Sequence, residues 1–141
     1  MNTFLRSIAV TALLVFPFSA SADDATPSTE GAKVYFIFPA DGAKISGPVT
    51  VRFGLKGMGV APSGIEKAGT GHHHLIVDAP LPSVTDFIPA DEHHKHFGGG
   101  QTEVTLTLAP GKHTLQLLLG DQSHLPHVPA VYSKKITITV E

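Results

Sequence analysis

The stretch TEVTLTLAPGKHTLQLLL, residues 102–119, gives the clearest indication of the fold class of this chain. Its first part, residues 102–108, alternates apolar and polar side chains, which is typical of a β-strand with one buried face. The segment Ala109–Lys112 (APGK) is a strong turn signal, because proline and glycine both favour turn conformations. Residues 111–119 then alternate again, so the stretch predicts two consecutive antiparallel strands.

Four other segments resemble these two strands. Each is rich in β-branched and aromatic residues, and glycine or proline bounds most of them: Val34–Phe38, Val49–Leu55, His72–Asp78 and Val131–Val140. No amphipathic helix of useful length is apparent. We therefore predict an all-β fold, an antiparallel β-sandwich that is either immunoglobulin-like or cupredoxin-like.

The first 22 residues have the pattern of a signal peptide. Arg6 provides a positive charge, Ile8–Phe18 is apolar, and Ala20–Ala22 is a small-residue cleavage site before Asp23. The apolar run is shorter than the 18 or so residues needed to cross a bilayer. We therefore expect a periplasmic or secreted protein with no membrane insertion after the signal is removed.

The 141 residues are enough for one folded domain after the signal. Residues 23–32 are small and polar, which predicts a flexible leader. The β-sandwich domain then covers residues 33–141. Within it, Ser83–Gly100 lacks any clear period and ends in three glycines, which predicts a long ordered loop.

The composition excludes several classes of site. The chain has no cysteine, so disulfides, thiolate metal sites and blue-copper centres are ruled out. A formal net charge of -2 gives no reason to expect nucleic acid as a partner. Any metal ion must be held by nitrogen and oxygen ligands.

The nine histidines are the unusual feature of the composition, because all of them lie between residues 72 and 127. They form three groups: His72–His74, His93–His96, and His113 with His124 and His127. A His-x-His pair on one strand places two imidazoles on the same face, about 6 to 7 Å apart, where they can bind one ion. The candidate metal ligands are His72, His74, His94, His96, His124 and His127.

Other histidines have a simpler interpretation. His73 shares the strand face of the apolar residues that follow it, and His113 lies among leucines, so both are weaker candidates as ligands. His93 is expected to be a solvated loop residue. Nearby carboxylates could orient the imidazole rings as hydrogen-bond acceptors: Asp78, Asp91, Glu92 and Asp121.

Three motifs resemble a known family. They are GTGHHHLIVD at residues 69–78, HFGGGQTE at residues 96–103, and PGKHTLQLLLGD at residues 110–121 followed by His124 and His127. Together they are similar to the DUF4399 domain of exported bacterial proteins, a family of unknown function. The resemblance implies a small exported β-domain and a shared histidine pattern that contains His72–His74, His94, His96, His113, His124 and His127.

These observations favour a periplasmic metal-binding protein that buffers or delivers copper or zinc through imidazole ligands. Its partners would be the metal ion and another periplasmic protein. One alternative is a structural or envelope-binding module with a buried histidine network. The other is a metalloenzyme of unknown substrate, although no nucleophile motif or zinc-protease pattern supports catalysis.

Overall fold

The structure, a computed structural model, describes residues 25–141. The predicted signal peptide at residues 1–22 and the first two residues of the predicted leader lie outside the described residues. Within residues 25–141, no helix has the length and hydrophobicity needed to cross a membrane.

The described part of the chain contains nine β-strands. In chain order they are β1 (Lys33–Phe38), β2 (Lys44–Ile45), β3 (Val49–Lys56), β4 (Gly59–Val60), β5 (Thr70–Val77), β6 (His94–His96), β7 (Glu103–Leu106), β8 (Gly111–Gly120) and β9 (Ile136–Val140). Six of them correspond to the predicted strands, and the all-β sandwich prediction is confirmed.

The first sheet has three antiparallel strands in the order β1-β3-β7. Its central strand, β3, alternates as the sequence predicts, so Val49, Val51 and Phe53 all point into the core. The register places Val51 opposite Val104 of β7, which continues the apolar face across the sheet.

The second sheet has six strands, ordered β2-β9-β8-β5 with two short strands on the outer side of β5. Strand β4 pairs in parallel with the start of β5, and β6 pairs antiparallel with residues 74–76 near its end. The main core lies between the two sheets and includes Leu75, Leu115, Leu117 and Ile138. Burial of these apolar side chains is the main stabilising contribution to the sandwich.

The second sheet is also covered on its other face. Ile76 of β5 and Leu118 of β8 point away from the main core and pack against Ile88, which lies in the long connection between β5 and β6. Strand β5 is consequently buried on both faces along almost its whole length. This second face carries the histidine site described below.

Two predicted boundaries differ from the structure. The predicted loop at residues 83–100 contains β6, because the backbone of His94–His96 pairs with the free edge of β5. The last strand begins at Ile136 instead of Val131, because the Ser133 hydroxyl accepts the Leu117 N–H and replaces a backbone partner there.

Part of the predicted leader packs on the domain. Ser28 N–H donates to Val128 O and Val128 N–H donates to Thr26 O, both at 3.0 Å, while Pro27 forms a parallel bridge with Val128. The Ser28 hydroxyl also donates to Pro129 O at 2.8 Å. Residues 26–28, which we call the N-terminal strap, therefore hold the loop that follows β8.

Candidate metal centre

Strand β5 supplies the two most buried histidines of the site. Because side chains alternate along a strand, His72 and His74 share the face that points away from the main core. Their ring centroids are 4.7 Å apart. Both rings are essentially inaccessible to solvent.

The short strand β6 brings a third histidine to the same face. His96 lies directly opposite His74 in the antiparallel register. Its ring centroid is 5.0 Å from that of His72 and 5.1 Å from that of His74. The pairing of β6 with β5 therefore converts two residues 22 positions apart into neighbours.

The loop after β8 carries the fourth histidine. His124 N–H donates to Asp121 O at 3.0 Å, and Ile88 N–H donates to His124 O at 2.9 Å, which fixes the loop against the long connection after β5. His124 adopts a φ of 68°, a left-handed conformation that is uncommon for a residue other than glycine. Its Nε2 lies 3.1 Å from His96 Nε2, so one ring donates a hydrogen bond to the other.

We call His72, His74, His96 and His124 the four-histidine cluster. One ring nitrogen from each of the first three lies within 4.8 Å of the others, so these three could hold a metal ion. The ring centroid of His124 is 4.7 Å from that of His96 and 5.1 Å from that of His72. The cluster is thus a compact group of imidazoles contributed by two strands and one loop.

Two glycines make room for these rings. A Cβ atom at Gly120, which pairs across the sheet from His72, would lie 2.7 Å from His74 Cε1. A Cβ atom at Gly98 would lie 2.7 Å from His96 Nε2. Both distances are shorter than van der Waals contact, so any larger residue would displace the imidazole.

Several ring nitrogens of this site lack hydrogen-bond partners among the described residues. They include both nitrogens of His72 and Nδ1 of His74, all of which are fully enclosed. Leaving such a group unpaired costs about 1–3 kcal/mol. Buried polar groups are nearly always paired in folded proteins. The unpaired nitrogens on these neighbouring rings therefore predict that a ligand binds there.

Burial and mutual repulsion keep these imidazoles neutral. Burial, together with the neighbouring His96 and His124, lowers the pKa of His72 to about 4. The same two effects, burial first, lower the pKa of His74 to about 3 and shift that of His96 below its usual range. Since a metal binds the lone pair of a neutral ring, the site can accept an ion at neutral pH.

The cluster has a buried side and an open side. His72 and His74 lie against the sheet, whereas His96 is exposed and His124 is half-buried. The solvent-facing side of the cluster is therefore formed by His96 and His124.

Two other predicted ligands lie outside the group. His94 Nδ1 is 2.8 Å from Asp91 Oδ1, which also accepts the backbone N–H groups of His93 and His94. His127 is buried, and its Nε2 donates to Thr70 O at 3.0 Å. The structure thus brings four of the six first-choice histidines together and places these two with other partners.

The two weaker candidates occupy different environments. His73 lies in the main core with its ring centroid 5.1 Å from that of Phe53. His113 Nδ1 is 2.6 Å from Asp78 Oδ2, and its Nε2 is 2.7 Å from Ala109 O. The hydrogen bond to Asp78 raises the pKa of His113, which favours a charged ring that cannot bind a metal.

Spacing along the chain could not identify every part of the site. The His-x-His pattern pointed to His72 with His74, and β-strand geometry explains why that inference holds. Spacing along the chain also grouped His96 with His94, and His124 with His127. In the folded chain, His96 instead contacts His124. The glycines that accommodate the rings carry no sequence signal beyond their position next to histidine-bearing segments.

Comparison with known proteins yields one match. The model of a family described as a domain of unknown function, DUF4399, matches residues 51–141, a range that contains all nine histidines. Searches of curated proteins and of solved structures find no match to the chain.

Proposed function

Because the chain belongs to the DUF4399 family, whose function is unknown, we propose a function from the site itself. The protein is an exported metal-binding protein that takes up one divalent transition-metal ion through His72, His74, His96 and His124. Copper(II) is the preferred ion and zinc(II) the second choice. The observation that carries the proposal is the set of enclosed, unpaired ring nitrogens on neighbouring imidazoles.

The spacing of the rings suits a single ion. Metal–imidazole bonds of about 2.0–2.1 Å in tetrahedral geometry place ligand nitrogens about 3.4 Å apart. The Nε2 atoms of His96 and His124 are already 3.1 Å apart, and the nitrogens of His72, His74 and His96 lie within 4.8 Å. The nitrogens of His72, His74 and His96 would need to close by about 1.4 Å at most to reach that spacing.

The ligand chemistry favours copper. The chain has no cysteine, so the site offers only imidazole nitrogens, which suit Cu(II), Zn(II) and Ni(II). Among divalent ions of the first row, Cu(II) binds such a site most tightly. A signal peptide at residues 1–22, as the sequence predicts, would place this site in an exported compartment.

The arrangement supports binding and release instead of catalysis or a purely structural role. Four imidazoles would complete a four-coordinate site, so no ligand position is set aside for a substrate. In a purely structural network, enclosed nitrogens on neighbouring rings could pair with one another, whereas those of His72 have no partner in residues 25–141. The exposed position of His96 gives the ion a route to solvent, which suits buffering or delivery to another exported protein.

Calorimetry and thermal unfolding with Cu(II) and Zn(II) test the proposal on protein purified without an affinity tag. We expect one ion per chain at about pH 7.5, a higher melting temperature, and loss of that gain as pH falls towards 4, where His72 begins to protonate. His96→Ala is the informative variant, because an exposed side chain can be removed with little effect on folding. It should weaken metal binding by at least about 10–100-fold. Removing a residue that only hydrogen-bonds to a metal ligand already has an effect of that size.

His93→Ala is the matched control, since His93 is an exposed histidine three positions away that does not belong to the cluster. It should bind like the unaltered protein. Affinities no tighter than about 100 μM for every first-row divalent ion, or equal binding by the two variants, would contradict the proposal.

A further inference from the structure

Asp121 is a buried carboxylate beside the four-histidine cluster, directly after β8. Its Oδ1 accepts the backbone N–H groups of Ser123 at 2.8 Å and Leu125 at 3.0 Å. Its Oδ2 accepts the Thr26 hydroxyl at 3.3 Å. No lysine, arginine or histidine forms a salt bridge with it within residues 25–141.

These hydrogen bonds enclose His124. The two N–H groups that Oδ1 accepts belong to the residues immediately before and after His124, and the His124 N–H itself donates to Asp121 O. This network holds His124 at a φ of 68°, a conformation that costs on the order of 1 kcal/mol for a residue with a side chain. The position of the His124 ring therefore depends on the Asp121 side chain.

The carboxylate also acts on the cluster through its charge. Asp121 directly follows Gly120, which lies opposite His72 in the register of β5 and β8, so this buried residue is placed next to the enclosed side of the cluster. A buried charge without a cationic partner is costly unless something compensates it. A divalent ion held by neutral imidazoles would provide the missing positive charge.

We propose that Asp121 is the positioning residue and the counter-charge of the four-histidine cluster: its hydrogen bonds fix the His124 loop before metal arrives, and its charge stabilises the bound cation. This inference rests on the proposed function. It adds that the selectivity of the site for cations comes from a residue that does not touch the ion.

Two substitutions separate the two roles. Asp121→Asn retains an oxygen that can accept both N–H groups but removes the charge, so Cu(II) affinity should fall about 10–100-fold while the set of nitrogen ligands stays the same. Asp121→Ala also removes the acceptor, so His124 should leave the coordination shell. Titration calorimetry measures the affinity, and electron paramagnetic resonance of the Cu(II) protein reports the nitrogen ligands.

A double-variant cycle checks the positioning role. In a His124→Ala background, Asp121→Ala should weaken binding only as much as Asp121→Asn does, because no ring remains to be positioned. Asp91→Asn is the matched control. Asp91 holds His94 through the same kind of hydrogen bonds, but His94 lies outside the cluster, so Cu(II) affinity should not change.

NMR spectra of the metal-free proteins keep this test separate from the proposed function. Asp121→Ala should shift the amide signals of residues 122–125, and Asp121→Asn should leave most of them in place. If the unaltered protein binds no metal, the proposed function fails whatever the spectra show. If it binds metal and both Asp121 variants match it in affinity and resonance spectrum, the role of Asp121 is wrong and the proposed function stands.

Discussion

At the scale of single residues, the triplet His72–His74 shows how position on a strand decides chemistry. The three side chains are identical, yet the outer two face other imidazoles and His73 faces Phe53 in the main core. Neither ring nitrogen of His73 has a partner among the described residues. Burial lowers its pKa to about 4, so the ring is neutral and its polar atoms contribute no stabilising contact.

We therefore predict that His73→Leu stabilises the protein. The substitution replaces an unpaired polar ring with an apolar side chain of similar size, which should raise the free energy of unfolding by about 1–3 kcal/mol. Urea denaturation in the presence of a chelator measures the change. The same substitution at His113 should lower the free energy of unfolding, because that ring makes hydrogen bonds with Asp78 and Ala109 O. Equal destabilisation by the two variants would show that His73 has a stabilising partner.

At the scale of elements, β5 and its neighbours assemble the site. β5 supplies two histidines, β6 lies on one side of it with His96, and β8 lies on the other side with Gly120. The loop after β8 then returns over this face with His124, held by the N-terminal strap and by the backbone of Ile88. The site therefore depends on the close approach of strands, in which the absence of a side chain at Gly120 matters as much as any ligand.

We predict that Gly120→Ala displaces the His74 ring. The added methyl group would lie 2.7 Å from His74 Cε1 and 3.1 Å from Ile88 Cδ1, and overpacking of this kind costs about 1–3 kcal/mol. Metal affinity should fall together with stability. Thermal unfolding with and without Cu(II) measures both effects.

Gly59→Ala is the comparison for this prediction, since Gly59 is also a strand glycine and its added methyl group would meet only Thr70 Cγ2 at 3.6 Å. That variant should unfold at the same temperature as the unaltered protein or slightly above it. If both variants behaved alike, the contact between Gly120 and His74 would not matter.

At the scale of the whole molecule, the sandwich buries histidines on both faces of its larger sheet. His73 lies between the sheets, and His72 and His74 lie under the loops that cover the outer face. All three have a lowered pKa in the folded state, first of all because of burial. His113 is the opposite case, since its hydrogen bond with Asp78 raises its pKa.

These shifts predict that the metal-free protein loses stability as pH falls from about 6.5 towards 4. In that range the unfolded chain binds protons at three histidines that the folded protein keeps neutral, at a cost on the order of 1 kcal/mol per histidine and pH unit. The contribution of His113 has the opposite sign, being present at low pH and lost as pH rises through its raised pKa. The pKa of His96 is lowered as well, so four lowered values outweigh one raised value.

Urea denaturation between about pH 4 and pH 8 in the presence of a chelator measures this dependence. His73→Leu should make it shallower, because one of the histidines with a lowered pKa is removed. A free energy of unfolding that stays constant from pH 8 to pH 5 would contradict the burial of neutral imidazoles.

Local patterns were sufficient for most of the fold. Alternation of apolar and polar residues, together with β-branched and aromatic runs bounded by glycine or proline, located six strands. The short strands β2, β4 and β6 were missed, since two or three residues are too few to show a period, and β6 consists of polar residues paired only through their backbone.

The absence of cysteine follows directly from the composition of the chain. The β-sandwich and the shared strand face of His72 and His74 follow from the alternation of side chains along a strand. Only the tertiary structure decided that His96 and His124 join them, while His94 and His127 do not. The physical reason is that strand pairing and loop closure bring together residues far apart in the chain. No spacing along the chain records which edge of β5 a segment will pair with.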